Sequence, residues 1–106
     1  MTQPAARTVM QEVSPKLAEL SAGVLFGDVW ERPELSKRDR SLITVATLTA
    51  LYRTDQLRGH IGRALDNGVT RDEISEVITH MAFYAGWPVA ANAVRVAKEV
   101  FEERGV

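Results

Sequence analysis

Apolar residues along this chain recur at helical spacing in five stretches, and none alternates with the period of two that marks a strand. Ser14-Pro15 opens the first, because proline at the first helical position gives up no needed hydrogen bond. Leu17, Leu20, Val24 and Leu25 form its stripe, and Gly27-Asp28 ends it. Val29 to Pro33 reads as an extended connector, since a residue before proline is driven out of helical geometry. Trp30 is expected to anchor that connector. Ser36 opens the second helix with Asp39 three residues on, close to a capping box. Leu42, Ile43, Val45, Ala46, Leu48, Ala50 and Leu51 then cover nearly every direction around the axis. This pattern predicts a central helix buried on all sides.

The third helix carries two stripes. Leu57, Ile61, Ala64 and Leu65 make the apolar one; Gln56, His60, Arg63 and Asn67 make a polar one beside it. His60 lies at their seam, so a group that exchanges protons near neutral pH is held at the core edge. Asn67-Gly68 stops this helix, and Thr70-Arg71-Asp72-Glu73 is a full capping box for the fourth. Ile74, Val77, Ile78, Met81, Ala82 and Ala85 follow at i, i+3, i+4. Gly86-Trp87-Pro88 breaks that pattern and starts a fifth helix, with Val89, Ala93, Val96, Ala97, Val100 and Phe101 inward. The prediction is an all-α bundle of about five helices: a partly ordered arm over 1–13 and a single helical domain over 14–106. Two features predict self-association. A fully apolar second helix has few layers around it in so short a chain, and the alanine- and valine-rich fifth helix permits close approach. A monomeric bundle is the competing expectation.

Composition narrows the function. The 106 residues are 45% hydrophobic and 25% charged, with 13 basic and 14 acidic side chains for a net charge of −1. Nucleic-acid and membrane-surface binding usually need a basic excess, which is missing. No apolar run approaches the ~20 residues of a membrane span. The first ten residues lack a secretion-signal pattern, so a cytoplasmic location is expected. There is no cysteine, which removes disulfides, thiolate metal sites and thiol redox chemistry together.

Four sets of residues could carry chemistry, each with a plainer reading beside it. His60 is either a proton-transfer group or a packed, hydrogen-bonded histidine. His80 shares a helix face with Glu76 and Tyr84, as an oriented imidazole or an ordinary surface pair. Phe83, Tyr84 and Trp87 surround a helix break, as pocket wall or core. Arg40, Arg53 and Arg63 could clamp a carboxylate or stand solvated; for Arg40, an anion would offset its unfavourable place near a helix N-terminus. His60 and His80 lack metal-site spacing, and neither a phosphate loop nor a G-x-S-x-G elbow is present. Proton transfer on a small anion is the chemistry within reach.

The run from Trp30 to Thr44, then His60, Asn67-Gly68-Val69-Thr70 and Glu73, then Ala82-Phe83-Tyr84-Ala85-Gly86-Trp87-Pro88 resembles the carboxymuconolactone decarboxylase family over roughly residues 15 to 104. One branch resembles alkyl hydroperoxidases, with a glutamate followed by C-x-x-C-x-x-x-H. Laid on His60, that motif puts cysteines at Arg53 and Gln56 and the glutamate near Ser41, and all three are absent. A thiol peroxidase is therefore excluded. The cysteine-free branch resembles 4-carboxymuconolactone decarboxylase, which removes CO2 from an unsaturated lactone acid in aromatic-compound breakdown. The resemblance implies an all-α homo-oligomer, commonly a hexamer built as a trimer of dimers, with no cofactor and a small carboxylic acid or lactone as substrate. It suggests His60 as proton donor and Arg40 as carboxylate or oxyanion clamp. Tyr84 and Trp87 would form pocket wall, with His80 and Arg53 as further substrate-binding candidates. Gln56 departs from the glutamate that this branch often carries four residues before its histidine. The other function open to such a chain is a catalytically silent oligomeric scaffold or small-molecule-binding protein.

Overall fold

The structure, a computed structural model, describes residues 7–106. Among these it contains α1 (Val9–Val13), α2 (Pro15–Leu20), α3 (Lys37–Ala50), α4 (Thr54–Asp66), α5 (Arg71–Ala85) and α6 (Trp87–Arg104), and no strand. The all-α expectation holds, with six helices in place of about five. Residues 1–6 of the expected arm lie outside the described residues; its remainder forms α1, capped by Thr8 and Gln11 reciprocally. The chain divides into one unit ending at Glu34 and a second, Leu35–Val106.

In the first unit the predicted opening helix begins at Pro15 as read, but after Leu20 it widens into a π-helical turn, Ser21–Phe26, that Gly27 closes. Leu17, Leu20, Val24 and Leu25 are exposed there. A short 3₁₀ turn, Val29–Glu31, replaces the expected extended connector over those residues. Trp30 is buried, its ring 5.9 Å from that of Phe26.

The second unit is a four-helix arrangement. Helix α3 packs on α4 and α5, α6 packs on α4 and α5, and α3 meets α6, which sets α4 and α5 at diagonal corners. Its core gathers Val45, Leu57, Ile61, Ile74, Val100 and Phe101 with smaller neighbours. Burying such side chains is worth about 1.5–3 kcal/mol each and supplies the drive to fold.

The predicted boundaries follow from local chemistry. The Ser36 hydroxyl accepts from the Asp39 N–H to start α3. Helix α4 stops at Gly68, whose φ of +91° a residue with a side chain rarely adopts, and the Val69 N–H returns to the Ala64 carbonyl. Thr70 and Glu73 form the reciprocal capping box of α5. Glu73 also pairs with Arg38 of α3, so one carboxylate both caps a helix and ties two together. Arg58–Glu99 and Arg104–Asp66 tie α4 to α6 in the same way.

One expectation is corrected. Helix α3 touches the three other helices of this unit, but it is not buried all round: Ile43 is 54% exposed. Its inward face is Ser41, Val45 and Thr49. The two hydroxyl residues sit in the core because each is satisfied: Thr49 Oγ1 donates to the Val45 carbonyl (2.8 Å), and Ser41 Oγ accepts from Asn67 Nδ2 (3.0 Å). A count of apolar residues could not place two polar ones inward, so it spread the burial around the wrong arc. No helix among the described residues is long and apolar enough to cross a membrane.

Candidate active site

The seam between α3 and α4 gathers the polar stripe around His60. A three-residue turn joins these helices, so they run antiparallel as neighbours. The Ser41–Asn67 hydrogen bond sets their register, placing the first turn of α3 beside the end of α4. At about 100° per residue, Asn67, His60 and Arg53 fall on one flank of α4, seven residues apart each time. Because Asn67 reaches α3, that flank faces α3. Gly62, Asp66 and Arg58 lie on the other flank, where Asp66 and Arg58 pair with α6. On α3 the same geometry separates two arginines. Arg38 is turned toward α5, where Glu73 pairs with it, whereas Arg40 and Thr44 fall on the flank toward α4.

Arg40, Arg53, His60 and Arg63 therefore border one seam. Arg40 and His60 are half-buried; Arg53 and Arg63 are exposed. The acidic residues near them in sequence, Asp39 and Asp55, lie on other faces of their helices. From the level of the Ser41–Asn67 bond, His60 stands about 10 Å along α4 and Arg63 between the two, at 1.5 Å of rise per residue. Cationic side chains and an imidazole thus share one edge. Burial lowers the pKa of His60 below its ordinary value, and the Arg63 charge lowers it further.

That shift has a consequence for stability. A histidine with a folded pKa below its unfolded one binds protons more readily when unfolded, so stability rises with pH. Its full contribution is present above the unfolded pKa of about 6.5 and is lost as pH falls from there toward the depressed folded value. Denaturant unfolding at fixed protein concentration between pH 8 and 5 is expected to show a steeper acid loss in the parent than in His60→Gln. Parallel curves would mean that His60 is not the group concerned.

The remaining candidates sit elsewhere in this unit. His80 and Tyr84, stacked at 4.7 Å, are on α5, and Trp87 opens α6 with its ring edge-on to Phe83 at 5.8 Å. All four are exposed. Since α4 and α5 are diagonal, the His80–Tyr84 pair and His60 stand on helices that do not adjoin within one chain. Trp87 borders a groove of about 680 Å³ between α5 and α6, floored by Ile78, Ala90 and Phe101; none of His60, Arg40 or Arg53 lines it. Sequence reasoning missed two features of the seam. Asn67 was read only as part of a stripe and a helix stop, yet its amide sets the register. Tyr52, with φ +58°, holds a left-handed conformation uncommon for a side-chain-bearing residue and turns the chain so that Arg53 leads α4. No turn signal in the sequence marks that tyrosine.

The carboxymuconolactone decarboxylase family matches over residues 15–99. A 4-carboxymuconolactone decarboxylase of Acinetobacter baylyi is 47% identical over 81 residues, covering 76% of this chain and 60% of that protein. A nitrosuccinic acid decarboxylase of Metarhizium robertsii is 34% identical over 85 residues, 80% of this chain and 59% of its own length. An uncharacterized 15.0 kDa protein of Paracoccus denitrificans is 29% identical over 96 residues, 89% of this chain and 72% of that one. The chain thus spans about three-fifths of the length of the two named decarboxylases. A family match over four-fifths of the sequence, on an all-α fold with the expected helix boundaries, shows that this chain belongs to the carboxymuconolactone decarboxylase family.

Proposed function

We propose that this protein is a cofactor-free decarboxylase of a small unsaturated lactone acid, of the 4-carboxymuconolactone type, acting in aromatic-compound degradation as a cytoplasmic homo-oligomer. The observation that carries the reading is the α3–α4 seam, which Arg40, Arg53 and Arg63 border together with a half-buried imidazole. Both named relatives are decarboxylases of small polyacids, and in each of those acids an electron-withdrawing group stands where it can take up the pair that leaving CO2 releases.

The chemistry asks little of the protein. The C–CO2 bond breaks, and its electron pair passes through the ring double bond into the lactone carbonyl, giving a dienolate. CO2 departs, and one proton returns to carbon. Arg40 holds a carboxylate or the developing oxyanion through paired N–H donors. His60 supplies the proton. Its depressed pKa suits that role: an imidazolium there releases its proton readily, and the arriving carboxylates draw the pKa back up, so the proton comes with the substrate. No electron acceptor enters the balance, and neither does a thiol, of which the chain has none.

The direct test follows the ultraviolet absorbance of the lactone diacid with purified protein, with CO2 release as a second readout. Turnover is expected in the parent and a raised KM in Arg40→Met, with a smaller change in Arg40→Lys. If the parent consumes neither this diacid nor related β,γ-unsaturated acids, the reading passes to a catalytically silent scaffold or small-molecule-binding member of the family.

A further inference from the structure

We propose that the α5–α6 groove is a second ligand site, separate from the α3–α4 seam, and that it takes an amphipathic monocarboxylate: one carboxylate on an extended apolar body. This inference does not rest on the decarboxylation reading, and its test reads binding rather than turnover.

The groove has two unlike ends. Helices α5 and α6 fold back on each other at Gly86, so the start of α5 lies beside the end of α6. Arg71 and Ser75, one turn apart on α5, therefore share an end with Lys98 and Glu102, one turn apart on α6. Beyond them Ile78, Ala82, Ala90 and Val94 line the slot as far as Trp87, and no described lining residue there is ionisable. Trp87 is 67% exposed and Val94 57%. That wall offers water an apolar surface that a ligand would cover.

Size and length narrow the occupant. The volume of about 680 Å³ falls within the range of small-molecule pockets. From Lys98 to Trp87 the groove follows α6 for eleven residues, about 16 Å of rise. That volume over that length is too slender to enclose an α-helix, about 10–12 Å across with its side chains. Extended dodecanoate is close to the same length. A compact polyacid is a poor match, because the Trp87 end has no cation for a second carboxylate.

Charge sets the head group. The Arg71 guanidinium is held in place: it lies 4.9 Å over the Phe101 ring and donates from Nη1 to the Val106 carbonyl at 2.7 Å. A guanidinium carries five N–H donors, so that one bond leaves others for a ligand. Lys98 Nζ stands 3.8 Å from the Glu102 carboxylate. Glu102 thus shows that a carboxylate fits against Lys98, and an exposed pair of this kind is weak enough to exchange. Of the acidic residues in the first turn of α5, neither Asp72 nor Glu73 lines the groove, and Glu73 is taken up by Arg38. Two cations against one carboxylate leave that end with one positive charge in excess. The match is to a monocarboxylate rather than to a dianionic phosphate. On this proposal Trp87 keeps the wall role expected from the sequence, but for a different ligand.

Dodecanoate below its micelle-forming concentration is the probe, and dodecylammonium carries the same tail with the opposite charge. Calorimetric titration of the protein, assembled as it is in solution, is expected to show one dodecanoate site per chain. Affinity should be about tenfold tighter than for dodecylammonium, since attraction is exchanged for like-charge repulsion. Of the two tryptophans, Trp30 is buried and Trp87 lines the groove. Dodecanoate should therefore move the emission to shorter wavelength, and Trp87→Phe should lose that shift. Lys98→Met is expected to weaken binding and Glu102→Gln to strengthen it, each about threefold, the scale of an exposed ion pair. Opposite signs one turn apart are not what a general loss of structure would give. The proposal is overturned if the two probes bind alike, if the emission shift survives in Trp87→Phe, or if Lys98→Met and Glu102→Gln leave the affinity unmoved. Absence of binding overturns it too, including in an assembly where a second copy covers the groove. Should Trp87→Phe fail to fold, the charge selectivity and the Lys98–Glu102 pair decide alone.

Discussion

His60→Ala is expected to lower kcat for CO2 release by about 10²–10⁴-fold, the usual contribution of a positioned proton donor. KM should change far less, because the carboxylates are held by Arg40 and its neighbours rather than by the imidazole. The expectation rests on place and environment together. His60 is half-buried on the flank of α4 that faces α3, and burial and Arg63 both disfavour its charged form. Because a proton donor must be protonated to act, the parent's rate should fall as pH rises through the His60 titration, a basic-side limb that the alanine variant lacks. His60→Gln separates proton supply from packing: it keeps a polar side chain of similar reach but cannot deliver a proton, so it should be nearly as slow as alanine. An alanine variant with undiminished kcat would remove His60 from the chemistry, whatever its effect on stability.

How much of this could be read from residues alone varies with the physics involved. Capping and stop signals are local, and they were legible: Ser36, Thr70 with Glu73, and Asn67-Gly68 act in the structure as their side chains and backbone freedom predict. The two stripes of α4 were legible too, because one amphipathic helix records its own inside and outside. Helix α3 was not. Its inward face depends on Ser41 meeting the amide of Asn67, 26 residues away, and no local pattern announces such a pairing. The site was legible as a set of residue types and not as a set of neighbours. Arg40, Arg53 and His60 share a seam. His80, Tyr84 and Trp87 stand on α5 and α6, and the diagonal placement of α4 and α5 that parts the first two from His60 is a property of packing. Cysteine content was the one decisive global signal, since chemistry that needs a thiol fails wherever the chain folds.

Ile61→Ala is expected to cost about 2–5 kcal/mol of folding stability, the range for truncating a buried isoleucine. Ile61 is fully enclosed, at 0% exposure, and is among the largest such side chains in the core. The unit that holds it is small, and for a domain of that size the loss corresponds to a fall in Tm on the order of 10–30 °C. Because Ile61 adjoins His60, part of the damage should also appear as lowered activity at temperatures where the variant is still folded. Ile43→Ala removes the same atoms from α3, yet it should change stability by no more than about 0.5 kcal/mol, as at other exposed positions. Urea unfolding of both variants at one protein concentration measures the contrast. Equal losses at the two positions would mean that α3 is enclosed on its outer side as well as its inner one, and the amphipathic assignment of that helix would fall. A large loss at Ile61 alone would fix the core on the Val45–Ile61–Ile74 side of α3, leaving Ile43 outside it.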